Sequence, residues 1–165
     1  METQGLCVRI TAQDPKRADR MWNTVTDAQG HETIDPQARA KACEICSRCP
    51  VRLDCISRAL VGGWKDDSII GGIDYQRRKA LSRVIAMDQG LDATVSVHRL
   101  AAWQVRSWLE QHPDWPTLMR REDTAYWRRT KRSKRAKRRH RPDIKPRFRH
   151  VAPMPTGETV QGILF

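Results

Sequence analysis

Four of the chain's five cysteines lie close together. Residues 42 to 55 read ACEICSRCPVRLDC and contain Cys43, Cys46, Cys49 and Cys55, whereas Cys7 lies alone near the N-terminus. In a reducing compartment, clustered cysteines are more often metal ligands or redox-active groups than structural disulfides. The spacing predicts a site of four thiolates. Two sets remain open, because either Cys43 or Cys7 could join Cys46, Cys49 and Cys55.

Four clustered thiols could bind an iron–sulfur cluster or zinc, pack in the core, or exchange disulfides. Soft thiolates suit iron–sulfur clusters and zinc alike, and C-x2-C with a later cysteine is also zinc-ligand spacing. Inert thiols in a helical core are a third interpretation. Disulfide exchange through C-x-x-C is disfavoured because no βαβ pattern surrounds the motif. We therefore predict that the protein is not an enzyme, with thiol–disulfide reductase activity of the metal-free form as the alternative.

The charge of the chain is concentrated in one segment. Residues 120–150 hold 15 Lys and Arg against 3 acids, a surplus of twelve that equals the formal net charge of +12. Tyr126, Trp127 and Phe148 interleave with these cations, which is typical of a segment that contacts phosphates and stacks on bases. A solvated, disordered tail is the alternative. The candidate DNA-binding residues are Arg128, Arg129, Lys131, Arg132, Lys134, Arg135, Lys137, Arg138, Arg139 and Arg141.

The N-terminal residues carry charges where a signal peptide would be apolar, and no apolar run reaches about 18 residues. These features predict an intracellular, cytoplasmic protein with no membrane partner. No motif for a small-molecule substrate is present.

The hydrophobic pattern predicts an all-α fold. One helix begins at Asp35 and Pro36 as cap and first residue, and a second runs from Pro50 to the Gly62-Gly63 pair. Further helices are expected over 73–87 and 97–111, the latter with Leu100, Trp103, Val105 and Trp108 on its apolar side. Trp103, Trp108 and Trp115 are interpreted as core residues, and His98 and His112 as surface or capping residues. The chain from about Pro142 onward is expected to be disordered.

The cysteine segment resembles a known family. The stretch Cys46-Ser-Arg-Cys49-Pro50-Val51-Arg-Leu-Asp-Cys55, with Cys7 before it and Ser68-Ile69-Ile70-Gly71-Gly72 after it, looks like the WhiB-like (Wbl) transcription factors of actinobacteria and their phages. That family has an isolated cysteine, then C-x2-C-x5-C with Pro-Val, then a G-[VI]-W-G-G turn. Here Ser68 and Ile70 replace the first Gly and the Trp of that turn, and Trp64 is the nearest tryptophan.

The resemblance implies a [4Fe-4S] cluster held by Cys7, Cys46, Cys49 and Cys55, with Cys43 as the spare thiol. It also implies a response to oxygen or nitric oxide, after which freed thiols could form disulfides. In the family the clustered form docks on the promoter-recognition domain of the primary sigma subunit of RNA polymerase. The candidate partner surface here comprises Trp64, Ile69, Ile70, Gly71 and Gly72. The alternative is that Ile69 and Ile70 fill the core and the glycines only shape a turn.

The resemblance also bears on the basic arm. The piece Arg138-Arg139-His140-Arg141-Pro142 resembles the minor-groove hook that some Wbl proteins carry, with His140 in place of a glycine. The predicted domain map has four parts. These are a cluster-stabilised domain of three to four short helices over 1–88, a helical extension over 89–119, a polybasic nucleic-acid-binding arm over 120–150 and a disordered tail over 151–165.

Two functions of different classes follow. In the first, the protein is a redox- or NO-responsive [4Fe-4S] transcriptional regulator that binds DNA and the sigma subunit. In the second, it is a zinc-stabilised basic protein that binds RNA or the ribosome and has no redox role.

Overall fold

The protein is described by a computed structural model over residues 4–91 and 97–139. Seven α-helices and one short hairpin make up these ranges, so the predicted all-α fold is confirmed. The elements are α1 (Leu6–Gln13), α2 (Pro15–Trp22), β1 (Val25–Thr26), β2 (Glu32–Thr33), α3 (Pro36–Ser47), α4 (Arg52–Val61), α5 (Tyr75–Asp88), a 3-10 turn (Val97–Arg99), α6 (Ala102–Gln111) and α7 (Trp115–Arg139).

Aspartates begin three of the helices. The Asp35 carboxylate accepts hydrogen bonds from the backbone N–H groups of Gln37 and Ala38 at 2.9 and 3.0 Å. Asp14 caps α2 and Asp74 caps α5 in the same way. A proline follows both Asp14 and Asp35, where its missing N–H costs nothing. The predicted start of α3 is therefore confirmed.

Several expectations need correction. Helices α1 and α2, and the hairpin of β1 and β2, were not predicted from the sequence, because elements this short show too few residues for a period. The helix expected over 97–111 begins only at Ala102, after the 3-10 turn. Trp103 is 70% exposed and is not a core residue. It precedes the buried Val105 by two residues, which places it on the opposite side of a helix with 3.6 residues per turn.

Two apolar cores hold the helices together. The larger core joins α4 and α5 to α6 and the start of α7, and includes Ile56, Leu81, Ile85, Trp108 and Trp115. Trp108 and Trp115 are thus core residues, as predicted. The smaller core consists of Met21, Ala42 and Ile69, with Trp22 and Cys43 packed against it. It lies among α2, α3 and the loop before α5.

Contacts divide the chain into two compact units, residues 1–130 and 131–165. Of the second unit, the structure describes residues 131–139, which are helical, with exposed side chains through residue 138. The expected disorder beyond Pro142 falls outside the described residues. Within the described ranges, no helix has both the length and the apolar character needed to cross a membrane.

Candidate metal centre

Four cysteine side chains line one small cavity. Cys7 comes from α1, Cys46 from α3, Cys55 from α4, and Cys49 from the bend between α3 and α4. The cavity has a volume of about 30 Å³, and its walls are Gly5, Leu6, Ile45, Val51, Arg52 and Gly71. The isolated N-terminal cysteine therefore lies beside the other three, despite its distance along the chain.

A tight reversal of the chain brings three of these cysteines together. Helix α3 ends at Ser47, and the N–H of Cys49 donates to the carbonyl of Cys46 at 3.2 Å. The N–H of Arg52 then donates to the carbonyl of Cys49 at 3.1 Å, and α4 begins. Cys55, one turn into α4, thus points back toward the bend. Packing of α1 against α2 and α3 supplies Cys7.

Cys43 occupies a different environment. It does not line the cavity of the other four thiols, and it packs against the smaller core. Burial raises the pKa of the Cys43 thiol, and smaller effects on this pKa come from the charges of Arg77, Asp74, Arg39 and Arg52. Gly5, in contrast, closely covers the cavity, since a Cβ at that position would lie 3.3 Å from the Cys7 sulfur.

Burial and hydrogen bonds act on the thiols in opposite directions. Burial raises the pKa of Cys46 and of Cys55, because the thiolate is poorly solvated there. The indole N–H of Trp22 donates to the Cys46 sulfur at 3.5 Å, and backbone N–H groups of Gly72 and Gly71 donate to Cys46 and Cys55; these bonds lower the pKa values. Such a pocket favours thiolates once a cation is bound, because metal binding drives the deprotonation.

The donors on Gly71 and Gly72 depend on an unusual turn. Both glycines have positive φ, +58° and +82°, a region that residues with a Cβ rarely adopt. Ile70 and Ile73 exchange backbone hydrogen bonds of 3.0 and 3.1 Å across this turn. A Cβ at Gly71 would overlap Cγ1 of Ile56, and one at Gly72 would lie 3.3 Å from the Cβ of Cys46. The glycines thus allow the backbone to approach the thiols closely.

A buried arginine holds the loop that leads into this turn. Arg78 is 2% exposed and donates to the carbonyl oxygens of Ser68, at 2.7 Å, and Asp66, while the Asp66 carboxylate lies 3.5 Å away. Hydrogen bonding from Ser68 lowers the pKa of Asp66. The sequence pattern did not indicate this structural role for Arg78.

The candidate partner residues divide by exposure. Trp64 is 52% exposed, whereas Ile69 and Ile70 are 6% and 8% exposed, so most of their surface packs within this chain. Together with Trp22 and Gly71 they line a concave, open region of about 650 Å³ that also reaches Cys7, Cys46 and Cys55. Gly72 is half-buried and is not among the residues that line this region.

The candidate nucleic-acid residues lie largely on α7. Arg128 is exposed, and Arg129 pairs with Glu122 at 2.7 Å. Lys131, Arg132, Lys134, Arg135, Lys137 and Arg138 are helical and exposed. Arg139 is the last helical residue, and Arg141, with the rest of the predicted hook and Phe148, lies outside the described residues. The sequence did not predict that this segment is helical.

Aromatic residues near the basic segment are partly engaged within the first unit. The Arg83 guanidinium lies 4.3 Å from the Tyr126 ring centre and donates to Glu122 at 2.8 Å. Trp127 is 50% exposed.

His98 and His112 make contacts within the fold, in line with their interpretation as surface or capping residues. The ring of His98 contacts the last carbonyls of α4, and that of His112 stacks on Trp108 at 4.2 Å. Among residues 4–91 and 97–139, no group of three or more His, Cys, Asp or Glu side chains is arranged to hold a single metal ion.

This arrangement, a small helical protein with convergent thiols beside a double-glycine turn, agrees with one family match. The family model described as transcription factor WhiB matches residues 9–81, less than half of the 165-residue chain. The match covers Cys43, Cys46, Cys49, Cys55 and the turn, but neither Cys7 nor helices α6 and α7. Neither the curated proteins nor the solved structures gave a match.

Residues 9–81 therefore resemble the WhiB transcription factors, in agreement with the resemblance that the cysteine motif carries. The matched model describes a family of transcription factors.

Proposed function

We propose that the protein is a transcriptional regulator that binds a [4Fe-4S] cluster through Cys7, Cys46, Cys49 and Cys55. The observation that carries the proposal is the single cavity that these four thiols line. The donor set fits the group, because iron–sulfur clusters are held by four thiolates and are tuned by hydrogen bonds to the sulfurs. Three N–H donors supply such bonds here.

The bound cluster would supply reactivity toward oxygen and nitric oxide. The chain's part is to hold α1 beside the α3–α4 bend, since Cys7 is the one predicted ligand outside that bend. When the four thiols are no longer bound, Cys7 loses its link to the other three, and the buried sulfurs return to the protonated state that burial favours. Exposed to an oxidant, free thiols can then form disulfides.

The regulator would bind two partners. Trp64 and the concave region beside it, with Ile69, Ile70, Gly71 and Gly72 as its framework, are proposed to contact the sigma subunit. In support, half of the Trp64 side chain is exposed, although the two isoleucines contribute mainly to packing. The proposed DNA contacts are the basic residues 128–141, of which the described members from Lys131 to Arg138 are exposed. Their charge favours phosphate contact, which does not depend on base sequence.

Metal analysis of protein purified without oxygen tests this proposal. We expect about four irons and four sulfides per chain and a brown colour that bleaches in air. A colourless protein with one zinc would instead support the zinc-stabilised RNA- or ribosome-binding alternative.

Single substitutions identify the ligands. Replacing Cys7, Cys46, Cys49 or Cys55 with Ala is expected to abolish iron retention. Cys43→Ala is the matched control, because this thiol lies on the same helix as Cys46 but outside the cavity. Loss of iron in the Cys43 variant, with retention in the Cys7 variant, would transfer the ligand role to Cys43.

A further inference from the structure

Helices α6 and α7 lie outside the family match, and Trp115 at the start of α7 contacts Arg52, a residue of the thiol cavity. We propose that Arg52 and Trp115 form a brace that positions the Gly71-Gly72 turn against the cluster thiols, which makes the C-terminal helices part of the cluster site. The inference rests on the proposed function, since it names the residues that support that same site.

Arg52 lies at the cavity itself. It stands between Cys49 and Cys55 in sequence, is half-buried, and lines the cavity as the one charged residue in its wall. A cluster with four thiolates carries net negative charge, so a guanidinium beside it is electrostatically favourable.

One end of the brace is the turn. The Nε–H of Arg52 donates to the carbonyl of Gly71 at 2.9 Å. That carbonyl belongs to the same peptide unit as the N–H of Gly72, and a Cβ added at Gly72 would lie 3.3 Å from the Cβ of Cys46, while Gly71 lines the cavity beside Cys55. Hydrogen bonding from the Gly72 and Gly71 backbones lowers the pKa of Cys46 and of Cys55. Holding the carbonyl therefore fixes the orientation of the peptide plane that presents a donor to Cys46.

The other end is Trp115. The Arg52 guanidinium carbon lies 5.2 Å from the centre of the Trp115 ring, within the range of a cation–π contact. Trp115 is 4% exposed, belongs to the larger core and is the first residue of α7. A buried ring leaves the guanidinium little freedom to rotate away, so its hydrogen bond to Gly71 is pre-organised. Lysine could not replace it, because an ammonium lacks the planar face and the fixed Nε–H direction.

The test compares Arg52→Gln and Trp115→Leu with two controls. Trp103→Leu removes an exposed tryptophan from α6, and Leu109→Ala weakens the larger core at a residue that is 1% exposed and is not in the brace. In loaded protein, we expect both brace variants to lose the cluster in air roughly tenfold faster than wild type, as for other residues that orient metal ligands. Their reduction potential should fall, because N–H bonds to the sulfurs weaken. Leu109→Ala should lower the melting temperature and leave the potential unchanged.

A second readout needs no cluster. In metal-free protein, amide hydrogen exchange over residues 68–74 should be faster in both brace variants than in wild type and Leu109→Ala. The double variant should be no worse than either single one, since each already removes the brace. If Trp115→Leu does not fold, the proposal is tested with Arg52→Gln alone. This variant should fold, because the Arg52 side chain is only half-buried.

Wild-type exchange and wild-type bleaching in folded Arg52→Gln would overturn the brace. Failure of the proposed function gives a different result, since wild-type protein would then take up no iron while the exchange measurement still reports on Arg52.

Discussion

Substituting Gly71 with alanine tests how closely the turn approaches α4. Gly71 has a φ of +58°, and an added Cβ would overlap Cγ1 of Ile56, which is fully buried, and lie 2.9 Å from its Cδ1. The left-handed backbone costs alanine about 1–2 kcal/mol, and overpacking a core adds about 1–3 kcal/mol. We therefore expect Gly71→Ala to lower the free energy of unfolding by roughly 2–5 kcal/mol.

Gly90→Ala is the matched control. Gly90 has nearly the same φ, +63°, but a Cβ there would meet nothing within 4 Å. The backbone cost and the effect of alanine on the unfolded chain are shared by the two variants, so their difference isolates the clash with Ile56. A difference of about 1–3 kcal/mol corresponds to a melting temperature roughly 2–12 °C lower for Gly71→Ala, at about 2–4 °C per kcal/mol for a chain of this size.

The assay is thermal unfolding followed by far-ultraviolet circular dichroism, with all variants in the same metal state. A double-mutant cycle with Ile56→Ala sharpens it, because the truncated side chain leaves space for the new Cβ. The double variant should lose less stability than the sum of the single losses. Equal melting temperatures for Gly71→Ala and Gly90→Ala would refute the close contact on which the approach of the turn to the thiols depends.

Three further predictions concern charge. The hydrogen bond from Ser68 holds the pKa of Asp66 below its ordinary value of 3.8. The ionised carboxylate therefore stabilises the fold above that pH, and this stabilisation is lost as the pH falls below it. In an acid titration of stability, Ser68→Ala should move this loss to higher pH. Glu122→Gln removes the charge from a mostly buried carboxylate that pairs with Arg83 and Arg129, and should cost about 1–3 kcal/mol by urea unfolding, whereas an unchanged midpoint would show that these pairs contribute nothing. Neutralising the basic residues 128–141 should weaken DNA binding. The slope of log K against log salt concentration should decrease in magnitude by about 0.9 for each phosphate that the protein no longer neutralises. Identical slopes would show that this segment does not contact DNA.

Local signals in the sequence predicted part of the fold. The Asp35-Pro36 pair and the Gly62-Gly63 pair marked the bounds of α3 and α4 to within about two residues, because capping chemistry is local. The same signal, Asp14 followed by Pro15, marks the start of α2. That helix has only eight residues, which are too few to show a helical repeat in the sequence. Trp103 was misplaced because it was assigned to the same side of the helix as Val105, although residues two apart lie about 200° apart around a helix with 3.6 residues per turn.

Only those residues of the candidate site that belong to the cysteine motif could be predicted from their spacing in the sequence. The motif drew attention to the cysteines, yet spacing alone left Cys7 and Cys43 as alternatives, and their positions relative to the cavity follow from how α1 packs. Trp22 and Arg52 were missed for a similar reason. Their partners, the Cys46 sulfur and the Trp115 ring, are distant in sequence, so no local pattern relates them.

The larger core also bears on how this gene tolerates truncation. A premature stop after residue 88 would spare every cysteine and the turn, but it would strip α6 and Trp115 from one wall of that core. Ile56 and Leu81 would then face water, and the shortened polypeptide would be a target for cellular proteases. The core that supports α4 and its Cys55 therefore depends on helices that lie beyond the last cysteine in the sequence.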